Sequence, residues 1–470
     1  MSTKINKFDY SEKKSWKRPL KNAKKLLWGE LGKSFFTLGT LALSARALGV
    51  ADFGALTILT TTLAIITQFV TFSSWQLVLH YGAKAFQENN ADAYKHIVQF
   101  ALILEILASV CGAIILFALT DYLIQLFQLP QSVAPLLPWL GILLIFTSIS
   151  GIADGTLRLT DRFNIISAIN VAPKALKFFI VAYLFWGGYG LNAFILAMFV
   201  TSGFSSVMRL FIATRYFIKD LRTIKTTQDE QSRAGLTVEP WQKGKFFSPQ
   251  KGTWKFAFGL YADSCMGMGN QQLGGVFLGA LIGPEGAGIY RIAEKISMTI
   301  ASPVNKLLLP AVFTDMAFLN AQKNYTATKQ MIFKLGAMTG AAAIAALAIL
   351  VFIGKPLIIL MAGEDYVSAY LPMLVLVLNI TLWAATFTLY PLITTSGNMR
   401  YVVVGRSVMF ALYVSMMVPL IHAYGVLGAA LSAMLSSFLA TAIPISGAYK
   451  IMAERRQESQ KDERPVEAAS

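Results

Sequence analysis

The chain is poor in nearly every residue type that a catalytic centre uses. It has two cysteines, Cys111 and Cys265, so it carries neither a disulfide framework nor a CxxC metal spacing. Both lie in apolar stretches, where a lone thiol behaves as a small hydrophobe. The three histidines, His80, His96 and His422, are scattered without the spacing of metal ligands. Charged residues make up only 14% of the 470, too few to cover the surface of a water-soluble protein of this length. The stretch Gly29-Glu30-Leu31-Gly32-Lys33-Ser34 imitates the end of a phosphate-binding loop, but Leu27 stands where the first glycine belongs and no strand precedes it. No cofactor, no metal and no enzyme activity are expected from these residues.

Long apolar blocks take the place of that chemistry. Hydrophobic residues are 55% of the chain and the mean hydropathy is +0.56. The blocks are continuous and lack the short alternation of an outer-membrane barrel, which predicts an all-α integral membrane protein. About twelve spans are expected, at 27–48, 54–78, 97–120, 134–155, 164–186, 190–212, 256–282, 287–312, 331–353, 368–394, 402–422 and 426–449. The first charged stretch is too long, and the apolar run behind it too extended, for a cleavable signal peptide.

The net charge of +16 has a topological reading. If residues 1–26 lie in the cytosol, 30 of the 41 Lys and Arg fall in cytosolic segments. Only Lys355 falls in an outer loop, and the other ten lie inside spans. That asymmetry is the positive-inside bias, so the basic tail marks orientation and no nucleic acid partner is expected. Both termini are then cytoplasmic. Asn324-Tyr325-Thr326, a match to a glycosylation acceptor, falls on the cytosolic side. Trp28 and Trp254 begin the first helix of each half, as interfacial belt residues do.

Two halves repeat in tandem. Gly49-Val50-Ala51-Asp52-Phe53-Gly54 joins spans one and two, and Gly283-Pro284-Glu285-Gly286-Ala287-Gly288 joins spans seven and eight, 234 residues later. Tyr189-Gly190 matches Tyr424-Gly425, and Leu157 and Thr160 match Leu392 and Thr395, at an offset of 235. This divides the chain into a basic tail 1–26, a six-helix bundle 27–212, a cytosolic linker 213–255, a second bundle 256–449 and a tail 450–470. Six spans per half make the repeats parallel, a symmetry that puts a substrate cavity at the midplane between the halves. Gly275, Gly279 and Gly283 suit close helix packing, while Pro173, Pro303 and Pro391 predict kinks.

Charge inside a span costs about 2.5–3.5 kcal/mol at the centre, so it marks function by default. Lys174, Lys177 and Lys295 are too deep to snorkel easily and are the foremost substrate-binding candidates. Arg291 and Lys306 share a helix face with Lys295, and Lys33 lies nearer its helix end. Arg46 stands at the outer end of span one. For each the bland alternative is snorkelling or an internal ion pair. The acids Glu30, Glu105, Asp263 and Glu294 either bind a coupling proton or sodium ion or neutralise these cations.

The two glycine junctions carry a resemblance. Ala45-Arg46-Ala47-Leu48-Gly49 through Phe53-Gly54, and the run from Leu278 to Glu294, resemble the helix-joining signatures of polysaccharide exporters and O-antigen flippases. That group belongs to the superfamily of multidrug extruders and lipid II flippases. Relatives often have an acid near Asn270–Gln272, where this chain has amides, which weakens any ion-coupling role there. The resemblance implies a bacterial inner-membrane protein that moves an undecaprenyl-diphosphate-linked oligosaccharide between leaflets. Membrane lipids and polysaccharide assembly proteins are the further partners it implies. A multidrug antiporter would favour carboxylates in its lumen. A polymerase or ligase would need a larger outer loop than 354–367, the longest expected here.

Overall fold

The structure is a computed structural model that describes residues 17–70, 74–127, 137–160, 162–233, 273–304, 325–396 and 398–462, with isolated positions at 135, 253–261 and 308–319. The described residues are almost wholly helical and none is in a strand. A bilayer demands this, because only a helix or a closed barrel satisfies every backbone polar group without water. Among the described residues, nine helices are long and apolar enough to cross a membrane.

The first half comprises α1 (Lys17–Val70), α2 (Ser74–Gln87), α3 (Ala91–Ala118), the short α4 (Thr120–Phe127), α5 (Leu137–Leu159), α6 (Phe163–Trp186) and α7 (Leu191–Arg233). The second half has a helical stretch at 273–281, then α8 (Pro284–Pro303) and α9 (Tyr325–Ala362). A 3-10 turn (Glu364–Ala369) leads into α10 (Tyr370–Thr386), α11 (Leu389–Thr395), α12 (Met399–Tyr424) and α13 (Val426–Asp462).

The repeat is visible in the backbone. Gly49 breaks α1 at φ 70°, ψ 179°, and Gly283 precedes α8 at φ 97°, ψ −177°. Both angles lie in a region that is essentially glycine's own. Thr160 and Thr395, matched in sequence, each donate to the carbonyl four residues back, Thr156 at 3.2 Å and Pro391 at 2.8 Å. The third match is looser: the positive φ falls on Gly188 in the first half and on Gly425 in the second. Among the described residues the five positive-φ glycines (49, 188, 283, 363 and 425) stand at helix junctions on one side of the bundle, here termed the turn end.

Several expected boundaries move, and two of the shifts toward longer helices bear on the ends of the bundle. α7 continues past 212 to Arg233 because neither glycine nor proline occurs between Gly203 and Gly235, although the side chains turn basic. Residues 354–362, expected as the start of an outer loop, are the last turns of α9, and 364–369 form the 3-10 turn. Lys355 and Pro356 look like a stop, yet Ile358 and Ala362 are buried in a shared core that holds the helix on course. Of the prolines expected to kink spans, Pro173 lies inside the continuous α6, Pro303 is the last residue of α8, and Pro391 lies inside α11, which a turn at 387–388 separates from α10.

The halves meet at the turn end. There Ala45 and Phe53 share one core with Leu278, Tyr290, Tyr366 and Met373, and Ala287 joins the first-half core around Ile58 and Leu140. A Cβ on Gly54 would lie 1.8 Å from the Pro284 carbonyl oxygen, so the two glycine junctions pack backbone to backbone. At the opposite end the described residues form two further cores. One gathers Leu77, Tyr94 and Ile97 of the first half with Ala257 from beyond the linker, where Tyr261 also donates to the Phe69 carbonyl at 2.7 Å, and another gathers Val312, Ile332, Leu392 and Ala448 of the second.

Candidate functional site

α6 and α8 both pack against α1, which brings their intramembrane cations to one region. Lys174 lies within electrostatic reach of Lys33 on α1 and Arg209 on α7. Lys177 feels Lys174 and Arg291, and Lys295 feels Arg291, Glu294, Lys174 and Lys33. Four of these cations come from the first half and two from the second. At 1.5 Å per residue from the turn end they form a ladder: Arg291 at about 12 Å, Lys177 about 15, Lys295 about 18, Lys174 about 20, Lys33 about 24 and Arg209 about 27.

Pairing divides the ladder in two. Arg291 donates to Glu294 at 2.7 Å, Arg209 to Asp154 at 3.0 Å, and Lys33 sits 3.6 Å from Glu30. Among the described residues the ammonium groups of Lys174, Lys177 and Lys295 make no ion pair or hydrogen bond. Lys174 is exposed and the other two are half-buried. A cleft beside them is lined by Thr57, Thr61, Gly275, Tyr290, Arg291 and Glu294. Three unpaired ammonium groups beside such a cleft present a binding field for an anion.

Two expected site residues, Lys306 and Asp263, lie outside the described residues. Glu105 is buried on α3, where one oxygen accepts from the Ser74 N–H at 3.3 Å and so caps α2. Arg46 donates to the Ile359 and Leu360 carbonyls at 3.1 and 2.6 Å, which closes the last turn of α9. Sequence reading did not single out Asp154 and Arg209. Asp154 falls at the last turn of its span, and its partner is 55 residues away on another helix, so no local spacing marks the pair. Among the described residues no group of His, Cys, Asp and Glu has the arrangement of a metal site.

Fold and site together define a multi-pass helical membrane protein whose intramembrane cations gather where α6 and α8 pack on α1. Solved structures with this fold agree. The lipid II flippase MurJ in an inward closed conformation matches with a TM-score of 0.63 at 11% identity, over 92% of this chain and 90% of that one. A MOP superfamily transporter from Pyrococcus furiosus, described as having a binding pocket of reverse polarity that suggests a different function, matches with a TM-score of 0.63 at 13% identity, over 94% and 96% of the two chains. The inner membrane protein YghQ of Escherichia coli K12 is 27% identical over 341 residues, 71% of this chain and 90% of that protein. The polysaccharide biosynthesis protein family model matches residues 20–313, more than half of the chain, and the protein belongs to that family.

Proposed function

We propose that the protein is a flippase that carries an undecaprenyl-diphosphate-linked oligosaccharide from the cytosolic to the outer leaflet of the bacterial inner membrane. The observation that carries this reading is the set of unpaired lysines, Lys174 and Lys177 on one half and Lys295 on the other. Unpaired cations at that depth are costly, and an anionic ligand bound between the halves offsets the cost. A diphosphate offers two phosphoryl groups, enough to bridge lysines of both halves. The polar glycan stays in the wet cavity, where its hydroxyls keep hydrogen-bond partners, and the polyprenyl chain stays in lipid.

The positive-inside bias supports a cytosolic position for both termini and for the end of α7, which makes the turn end external. The packing of the two halves at the turn end then closes the external side. Rocking of the halves about the site would expose it outward. Glu30 and Glu294, each paired with a cation of the ladder, are the described acids placed to exchange that cation for a proton or sodium ion when substrate arrives. Those pairings also leave little free negative charge for a cationic drug.

The test is a deletion strain in which polyprenyl-diphosphate glycans are extracted and assigned to a leaflet. The expected result is complete repeat units stalled on the cytosolic leaflet. Normal glycan display with new sensitivity to cationic dyes would indicate a drug antiporter. Units that cross but fail to polymerise would indicate a polymerase or ligase.

A further inference from the structure

The Arg209 cluster is the part of the ladder that the diphosphate does not need. Arg209 Nη1 donates to Asp154 Oδ1 at 3.0 Å and Nη2 to Asn170 Oδ1 at 2.7 Å, tying α7 to α5 and α6. Asp154 cancels the charge of Arg209, so the trio attracts an anion weakly. It still has capacity to spare. With its oxygen facing Arg209, Asn170 presents its amide N–H groups elsewhere, and Asp154 keeps a second carboxylate oxygen. Neither spare group has a partner among the described residues. The side chains of Arg209 and Asp154 are 17% and 26% exposed, so the cluster is partly open and not sealed in the helix seam. One turn before Asp154, the space a Cβ on Gly151 would occupy is open.

A pin between these helices already exists elsewhere. Arg162 pairs twice with Asp220, which is 8% exposed, and stacks on Tyr216 with the ring centre 4.2 Å away. Leu157, Ile166 and Ile169, buried between the two clusters, hold the seam rigid. The upper trio is thus a preorganised, electrically neutral set of donors and acceptors, which suits hydroxyl or acetamido groups.

Its place on the ladder names the ligand. Asn170 and Lys174 are four residues apart on one face of α6, about 6 Å along the axis, with Asn170 farther from the turn end. A sugar joined to a diphosphate held at Lys174 would extend by about that length. We propose that Asp154, Asn170 and Arg209 form a sugar-binding subsite that reads the first sugar attached to the diphosphate, and so sets which glycan is accepted. The inference rests on the flippase reading above.

Binding is measured with the full-length protein in nanodiscs, using bare undecaprenyl diphosphate and its N-acetylglucosamine, N-acetylgalactosamine, glucose and galactose derivatives. The wild type should bind at least one sugar-bearing probe more tightly than the bare carrier. Asn170→Ala, which leaves the Arg209–Asp154 pair intact, should reduce that increment by about three- to ten-fold, the worth of one or two neutral hydrogen bonds. Affinity for the bare carrier should stay within two-fold. Asp154→Asn provides a second variant, and its unfolding temperature in detergent verifies the fold. Equal weakening toward bare and sugar-bearing probes would make the trio a structural pin and overturn the proposal. A wild type that binds all five probes equally would overturn it too. A wild type that binds none would remove the flippase reading itself, and the subsite with it.

Discussion

Arg291 and Lys295 are neighbours on one helix face, yet their removal should have opposite signatures. Lys295, like Lys174 and Lys177, has no acid partner among the described residues, so its alanine variant strands no buried charge. Lys→Ala at these three positions should reduce substrate affinity by about ten- to one-hundred-fold each, the worth of a charge-assisted hydrogen bond. Protein levels should stay near normal, and Lys→Arg should restore most of the function. Arg291→Ala instead leaves Glu294, 7% exposed, without its counterion and should cost about 2–4 kcal/mol of stability. Adding Glu294→Gln should recover part of that loss. Quantitative blots beside an export assay separate the two patterns, and vanishing lysine variants would sink the division into paired and free cations. The depth of the lysines was legible in the sequence because residue count measures depth along a helix. Which cations are free was not, since pairing depends on neighbours from other helices.

At the scale of elements, the closed turn end is held by side chains that cross from one half to the other. Tyr366 donates to the Gly49 carbonyl at 2.9 Å and meets Phe53 edge-on at 5.9 Å, while Arg46 holds the end of α9. In the proposed alternating access these bonds must break for the site to open outward. Arg46→Ala combined with Tyr366→Phe should therefore shift the population toward the outward-open form. A reporter Thr57→Cys beside the cleft, in a background without Cys111 and Cys265, should then react several-fold faster with a membrane-impermeant thiol reagent added outside. Unchanged labelling would mean that the latch is not the gate. Gly49 and Gly54 were legible as a junction because glycine marks tight turns. The partner of Gly54 was not, because Pro284 is 230 residues away in sequence.

For the whole molecule, the orientation is open to direct measurement. Reporters fused after Arg233 and after Gln460 should read cytosolic. Asp365→Cys, exposed beside the turn end, should label from outside. An external reading at Arg233 would break the parallel two-repeat arrangement.

Composition, hydrophobic block length and the placement of lysine and arginine were enough to determine a polytopic helical membrane protein with a tandem repeat. Each of these is a local property read against a solvent of known thickness and polarity. The tertiary structure decided what depends on distance in space: that α6 and α8 bring their lysines together against α1, and that Arg209 is neutralised while Lys174 is not. It also decided that the glycine junctions of the two halves pack against each other at the turn end. A buried charge acts through whatever stands within a few ångströms of it, and in a helical bundle those neighbours come from distant parts of the chain.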